Sequence, residues 1–135
     1  MQLPSVTSAY LAVLALLYAA LGMRVSQLRR KRLAAFGDSG DSELRGAIRA
    51  HAHFAEYVPV TALMVAMLEM SGLPVLRVHL LMAALLLARL LHPLGMSAKP
   101  QTLRFVICRL GGMLLSIFVM ASSAVLILLR LWRGL

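Results

Sequence analysis

Long runs without a charged side chain alternate with short polar segments along the chain. The uncharged runs cover residues 1–23, 57–68, 78–88 and 110–129. A helix that crosses a bilayer needs about 20 mostly apolar residues. With single charged residues tolerated at their ends, all four runs reach that length. The pattern therefore predicts four transmembrane helices, over about residues 5–23, 44–72, 75–96 and 103–130.

Residues with turn and capping chemistry separate the predicted helices. Asp41 or Ser42 can cap the second helix, with Glu43 near its positive end. Two short links, at residues 71–74 and 97–100, make neighbouring helices antiparallel. The fold class predicted is therefore all-α, an integral membrane four-helix bundle with up-down-up-down order.

Composition supports this assignment. Of the 135 residues, 61% are hydrophobic and 14% are charged, and the mean hydropathy is +0.85. Soluble domains are about 45–50% apolar and about 25% charged, so a soluble globular domain is disfavoured. One domain over residues 1–135 fits this length.

The single cysteine, Cys108, excludes a disulfide framework. Pro59, inside the second predicted helix, should kink that helix or unwind it locally.

The charge balance predicts an orientation rather than a nucleic-acid partner. The chain has 14 basic and 5 acidic residues, a net charge of +9, but its basic residues lie between apolar segments with no interleaved aromatic surface. Three basic residues lie on the face that holds both chain ends. Nine lie on the face of loops one and three: Arg24, Arg29, Arg30, Lys31, Arg32, Arg45, Arg49, Lys99 and Arg104. The positive-inside rule therefore places loops one and three in the cytoplasm.

Several polar residues fall at membrane depth, toward the same ends of three helices. They are Arg45, Arg49, His53 and Glu56 on one face of the second helix, Arg89 and His92 on the third, and Arg104 and Cys108 on the fourth. Charged groups inside a membrane cost about 2.5–3.5 kcal/mol each on insertion scales and usually mark function. Glu69 lies apart, 13 residues beyond Glu56, which is about 20 Å along a helix.

Each of these residues also has a purely structural interpretation. Arg49 and Arg104 could extend to lipid headgroups, and Glu56 and Arg89 could form an ion pair between helices. For His79 an interhelical hydrogen bond is the preferred interpretation. The convergence of cations from three helices with one carboxylate at one depth nevertheless favours a binding site.

Converging arginines in a medium of low dielectric constant bind anions and match carboxylates in a bidentate geometry. Glu56 beside them could receive an ammonium group. Glutathione has carboxylates, an amino group and a thiol, and an arginine near its sulfur would favour the nucleophilic thiolate. A metal site is not expected, because His51 and His53 are two residues apart on different faces of a helix and no H-E-x-x-H motif is present.

The segment at residues 45–59, RGAIRAHAHFAEYVP, resembles the signature of the MAPEG family, the membrane-associated proteins of eicosanoid and glutathione metabolism. The pattern of that family is close to R-x-x-x-R-A-H-x-N-x-x-E-Y. The run ARLLHPLGM at residues 88–96 resembles the family's third helix, and Arg104 resembles the start of its fourth. The compact loops are similar to those of the bacterial branch. The resemblance implies a homotrimer in the bacterial inner membrane, with glutathione bound between adjacent protomers near the cytoplasmic side.

The resemblance also implies roles for individual residues. Arg49 would hold a glutathione carboxylate, and Glu56 would take the amino group with Tyr57 nearby. Arg89 would add a charge contact from the third helix. Arg104 matches the arginine that activates the thiol in the family, so it is the catalytic candidate.

Three positions depart from the family pattern. His53 stands where the family has asparagine, and a neutral imidazole ring nitrogen cannot both donate and accept as an amide can. Cys108 and Met96 lie near the positions of tyrosines in the mammalian prostaglandin synthase. A copy of the eicosanoid synthases is therefore not expected.

The function predicted is a membrane-bound glutathione-dependent transferase or peroxidase acting on lipophilic electrophiles that arrive from the lipid. The alternative is a non-catalytic lipid- or glutathione-binding membrane protein of the same fold. A small four-span exporter would typically have an acidic residue in its first span, and residues 1–23 contain none. A cleaved signal peptide is a weaker interpretation of that span, because no basic segment precedes it.

Overall fold

The computed structural model describes residues 3–96 and 102–134, which are helical over most of their length and contain no β-strand. The elements are α1 (Ser5–Lys31), α2 (Ser42–Met70), α3 (Val75–Met96), a π-helical segment (Phe105–Gly111) and α4 (Gly112–Trp132), which continues directly from it. The all-α fold class is confirmed. The predicted link at residues 97–100 lies outside the described residues.

Contacts between helix ends establish the up-down-up-down order. Glu69, near the end of α2, accepts hydrogen bonds from the first turn of α1. Arg89, in the second half of α3, donates to the backbone of His53 in α2. Arg130, near the end of α4, donates to Ser71 just after α2. We call the end of the bundle with the α1–α2 loop the basic end, and the end with residues 71–74 the opposite end.

α1 is longer than the uncharged run predicted, because it continues past Met23 to Lys31. Arginine, lysine, glutamine and leucine favour helix, and the last turn of α1 places Arg29, Arg30 and Lys31 at its negative end. A helix of 27 residues is about 40 Å long, whereas the hydrocarbon core is about 30 Å thick. The basic last turns of α1 therefore extend beyond the hydrocarbon core.

Three helices are long and apolar enough to cross a membrane: α1, α3 and the combined helix Phe105–Trp132. α2 is not among them, and its charged residues are distributed over both halves: Glu43, Arg45, Arg49, Glu56 and Glu69. Its ends nevertheless lie beside the two ends of α1, with Glu69 at one end and Glu43 at the other. α2 therefore crosses the same thickness as α1, and the chain is an integral membrane protein.

The core is formed by narrow stripes of each helix. α1 buries only Thr7, Leu14, Leu21 and Leu28, at a spacing of seven residues. That spacing is typical of a helix that packs along a single seam, so most of α1 lies on the outside of the single copy. The main core cluster includes Phe54, Val58, Val65, Met82, Leu85 and Val119.

The π-helical segment lies very close to α3. A Cβ atom on Gly95 would collide with the backbone nitrogen of Arg109, and one on Gly112 would lie 2.9 Å from the carbonyl oxygen of Ala88. Glycine at both positions lets the two backbones approach, as small residues do in membrane helix pairs. Gly112 and Ser116, one turn apart, thereby bring α4 against the polar part of α3.

The α1–α2 loop is fixed by acidic residues. Asp41 accepts a hydrogen bond from the backbone N–H of Leu44 at 2.8 Å, which confirms the predicted cap of α2. Arg32 pairs with Asp41 at 2.9 Å. Arg45 donates to Asp38, and this hydrogen bond is the largest cause that holds the pKa of Asp38 below its ordinary value.

At the opposite end, polar groups join α1 to its neighbours. Glu69 accepts from the backbone N–H groups of Val6 at 2.8 Å and Thr7 at 2.9 Å, so it caps α1. Tyr10 Oη and His79 Nδ1 are 3.4 Å apart, which confirms an interhelical hydrogen bond for that histidine. α2 remains helical through Pro59, so of the two predicted effects the local unwinding is wrong, and the kink stays a prediction.

Candidate functional site

Arg89 is the centre of a buried polar network near the basic end. Its side chain is only 2% exposed. Nη1 donates to the carbonyl oxygen of His53 at 3.2 Å, and Nη2 donates to the carbonyl oxygen of Gly112 at 3.4 Å and to Ser116 Oγ. The guanidinium carbon also lies 5.7 Å from the centre of the Tyr57 ring. Arg89 therefore joins α2, α3 and α4 within one copy of the chain.

Small residues on α4 make this network possible. Ser116 Oγ donates to the carbonyl oxygen of Gly112 at 2.8 Å, which leaves the hydroxyl oxygen free to accept from Arg89. All the acceptors of Arg89 are neutral protein groups. The predicted alternative of an ion pair between Glu56 and Arg89 is therefore wrong, because no ion pair joins these two described residues.

Two histidines stack beside Arg89. The rings of His53 and His92 are 5.0 Å apart and nearly parallel, with an interplanar angle of 16°. The Nδ1 atom of His92 lies 3.3 Å from the carbonyl oxygen of Arg109, which can only accept, so Nδ1 carries the proton. The Nε2 atom of His92 is buried and has no hydrogen-bond partner among the described residues.

His53 also contacts Arg49, one turn earlier on α2. Nη2 of Arg49 and Nε2 of His53 are 2.6 Å apart. Because a guanidinium group can only donate, Nε2 accepts and the neutral ring carries its proton on Nδ1. The structure thus brings Arg49, His53, Tyr57 and Arg89 into one chain of contacts.

Glu56 and Arg104 do not join that chain of contacts. Both are exposed on the outside of the single copy, as is Arg49. No hydrogen bond or ion pair joins Glu56 or Arg104 to another residue in the part of the chain that the structure describes. Arg49 and Glu56 therefore present opposite charges on one outward face of α2, and we call Arg49, Glu56 and Arg104 the outer charged residues.

An apolar groove lies next to this face. It has a volume of about 190 Å³ between α1 and α2, and its lining includes Tyr18, Phe54, Val58 and Pro59. Val58 and Pro59 follow Glu56 and Tyr57 directly in α2. The groove and the outward face of α2 are therefore built from the same stretch of that helix.

Sequence reasoning missed the partners of Arg89 on α4. Ser116 lies in an uncharged run and gave no polar signal of its own. The available signal was the pair of small residues at Gly112 and Ser116, four residues apart, which marks a close helix contact.

These features define a class of protein, the integral membrane four-helix bundles with a polar cluster built from three helices near one end. The model of the MAPEG family matches residues 7–129. The inner membrane protein YecN of Escherichia coli strain K12 is 37% identical over 90 residues, which are 67% of this chain and 69% of that protein. YecN of Escherichia coli O6:H1, strain CFT073, gives the same figures. The chain belongs to the MAPEG family.

Proposed function

We propose that the protein is a glutathione-dependent transferase or peroxidase of the membrane, acting on lipophilic electrophiles at a site completed between copies in a homotrimer. The observation that carries the proposal is the outward face of α2, where Arg49 and Glu56 are exposed and form no ion pair with another described residue. They are seven residues apart, about 10 Å along the helix, and an extended tripeptide is also about 10 Å long. Glutathione thus offers a carboxylate to Arg49 and an amino group to Glu56, and its length matches the separation of these two residues.

The exposure of this face supports association of copies. Charged groups in contact with lipid are costly, so they usually face a bundle interior or a water-filled cavity. A neighbouring copy seated against α2 would enclose Arg49 and Glu56 and could bring Arg104 to them. We place this site at the cytoplasmic side, because the basic end holds most of the arginine and lysine residues.

The proposed chemistry depends on the thiol. Arg49 holds a carboxylate and Glu56 the amino group, while Arg104 stabilises the thiolate after its proton passes to solvent. In transfer, the thiolate forms a sulfur–carbon bond and the leaving group departs with its electron pair. In peroxidase chemistry, the thiolate attacks the terminal peroxide oxygen and the O–O bond breaks, which gives the sulfenic acid of glutathione and an alkoxide that takes a proton from solvent and leaves as the alcohol. A second glutathione then yields the disulfide and water.

The inner residues support this site in the proposal. Arg89 holds the backbone of His53 and lies over the Tyr57 ring, so it fixes the segment of α2 that presents Arg49 and Glu56. Its positive charge also favours an anionic ligand nearby. The apolar groove between α1 and α2 supplies a path for a substrate from the lipid.

The test compares Arg104→Ala with Arg30→Ala in conjugation of glutathione to a chloronitrobenzene by purified protein. Arg30 is an exposed control at the same end of the bundle. Loss of one group that stabilises transition-state charge typically lowers turnover by about 100-fold or more, which we expect for Arg104→Ala alone. Equal turnover in wild type and Arg104→Ala would refute the role of Arg104.

One observation favours the non-catalytic alternative. His53 replaces the family asparagine and accepts a hydrogen bond from Arg49, so part of the Arg49 guanidinium is already occupied. Titration calorimetry in detergent distinguishes the two functions. Glutathione binding without conjugation of any electrophile in a broad panel would identify a binding protein.

A further inference from the structure

A second cluster of arginines lies at the opposite end of the bundle. An open cavity of about 330 Å³ separates the α2–α3 turn from the last turns of α4. It is lined by three arginines and three leucines: Arg77, Arg130, Arg133, Leu73, Leu126 and Leu129. These arginines are the only basic residues that the sequence places on this face, apart from His79.

The position of Arg130 is fixed by the protein. Its Nη1 donates to the carbonyl oxygen of Ser71 at 2.5 Å and to Ser71 Oγ at 2.8 Å. These bonds hold the end of α4 against the α2–α3 turn. Arg130 therefore enters the cavity as an ordered cation rather than as a mobile surface side chain.

Within residues 3–96 and 102–134, no acidic group neutralises the cluster. Among the residues that the structure describes, none of the three arginines forms an ion pair. Glu69 is the one acidic residue near this end, and both of its oxygens accept backbone N–H groups of α1. The cavity is thus positively charged and open to an anion.

A second, apolar cavity adjoins the first. It has a volume of about 140 Å³ between α2 and α4 and shares Arg130 with the charged cavity. The rest of its lining is mainly apolar and includes Met67, Leu68 and Ile127. Trp132, which follows the lining residue Leu131, is exposed and is a residue type enriched at the membrane–water interface. Charge and apolar surface therefore meet at interface depth.

We propose that this end of the bundle binds an anionic phospholipid. The phosphate group lies among Arg77, Arg130 and Arg133, and an acyl chain follows the apolar cavity along α2 and α4. Arginine matches phosphate oxygens through paired N–H donors. A free phosphate ion would satisfy the arginines but would leave the apolar cavity unfilled, so the lipid is the better fit. This inference is independent of glutathione.

The test measures lipid retention by native mass spectrometry of the detergent-solubilised full chain. The probes are phosphatidylglycerol, phosphatidylcholine with identical acyl chains, and inorganic phosphate. The variant is Arg77→Gln/Arg133→Gln, which keeps the bonds of Arg130 to Ser71. The matched control, Arg30→Gln/Lys31→Gln, removes two exposed charges at the basic end.

Each interfacial arginine changes anionic lipid affinity by about fivefold, so the double variant should bind phosphatidylglycerol about 30-fold more weakly. The control should bind as wild type does, and phosphatidylcholine should bind wild type more weakly than phosphatidylglycerol. Equal affinity for both lipids, or an unchanged double variant, would overturn the proposal. Inorganic phosphate binding as tightly as phosphatidylglycerol would overturn the lipid assignment. The wild-type headgroup comparison decides the question even if the double variant does not fold.

Discussion

The polar residues near the basic end differ sharply between the inside and the outside of the bundle. Inside, Arg89 is buried, and its acceptors are two backbone carbonyls and the Ser116 hydroxyl. Outside, Arg49 and Glu56 are exposed, and Glu56 has no hydrogen bond or ion pair to another described residue. Both terminal nitrogens of Arg89 are thus bonded to the protein and Arg49 donates to His53, whereas the Glu56 carboxylate is left to a ligand or a second copy.

This difference separates residues that build the site from residues that bind. The inner group, which consists of His53, Tyr57, Arg89 and Ser116, and the outer charged residues both include residues from about two turns of α2. Residue type and helix position alone therefore cannot assign their roles. Burial and hydrogen bonding do assign a role to each residue. Substitutions in the inner group should lower the free energy of unfolding. Substitutions of the outer charged residues should lower the affinity for glutathione and leave the free energy of unfolding unchanged.

The largest effect is expected in the inner group, for Ser116→Ala. The substitution adds no atoms to this buried contact and removes the hydroxyl that accepts from the buried guanidinium of Arg89. Loss of a hydrogen bond to a buried charged group costs about 2–3 kcal/mol. The free energy of unfolding in mixed micelles measures this loss. Ser122→Ala, at a half-buried position on the same helix, is the matched control and should change stability little.

The second-largest effect is expected for Glu56→Gln, a substitution among the outer charged residues. A charged partner of an ammonium group contributes about 1.5–3 kcal/mol, so the Kd for glutathione should rise about tenfold or more. The free energy of unfolding should stay at the wild-type value. Calorimetry and unfolding on the same preparation provide both readouts. A marked loss of stability with unchanged binding would place Glu56 in the inner group and break the comparison.

Glu69→Ala extends the comparison to the other carboxylate of α2. Because Glu69 caps two backbone N–H groups of α1, its loss should lower the free energy of unfolding by about 1 kcal/mol. Glutathione affinity should not change. Glu43→Ala is the control, since Glu43 forms only exposed ion pairs of 3.6 Å and 3.7 Å with arginines, which contribute little. An equal effect of both variants would contradict the capping role.

The smallest effect concerns the α1–α2 loop. The hydrogen bond from Arg45 lowers the pKa of Asp38, so the native state favours the ionised carboxylate. The resulting stabilisation is present above the ordinary aspartate pKa and is lost as the pH falls through the lowered one. Thermal unfolding of wild type and Asp38→Asn should differ slightly at neutral pH and converge in acid. A difference that stays constant down to the lowest pH would refute this linkage.

Much of the fold could be predicted from the sequence because hydrophobic runs, short links and capping residues act locally. The four helices, their antiparallel order and the cap at Asp41 all depend on neighbouring residues. The spacing of Arg49, His53 and Glu56 likewise fixes their relation on one helix. These features need no knowledge of how helices cross.

The partners of Arg89 could not be predicted, because they depend on that crossing. Ser116 lies 27 residues from Arg89 and becomes its neighbour only through the close approach at Gly112. The π-helical segment adds a second difficulty. Its wider turns shift which residues share a face, so Arg104 and Cys108 do not follow the 3.6-residue pattern that the sequence suggested.

The most direct test of the proposed function is the ultraviolet absorbance of the glutathione thiolate in stopped-flow mixing at neutral pH. Free glutathione is then mostly thiol, since an ordinary thiol has a pKa of about 8.5. We predict a rise in thiolate absorbance with wild-type protein and with Arg30→Ala, and none with Arg104→Ala. No rise with wild type, or an equal rise with Arg104→Ala, would contradict an arginine-stabilised thiolate at this site.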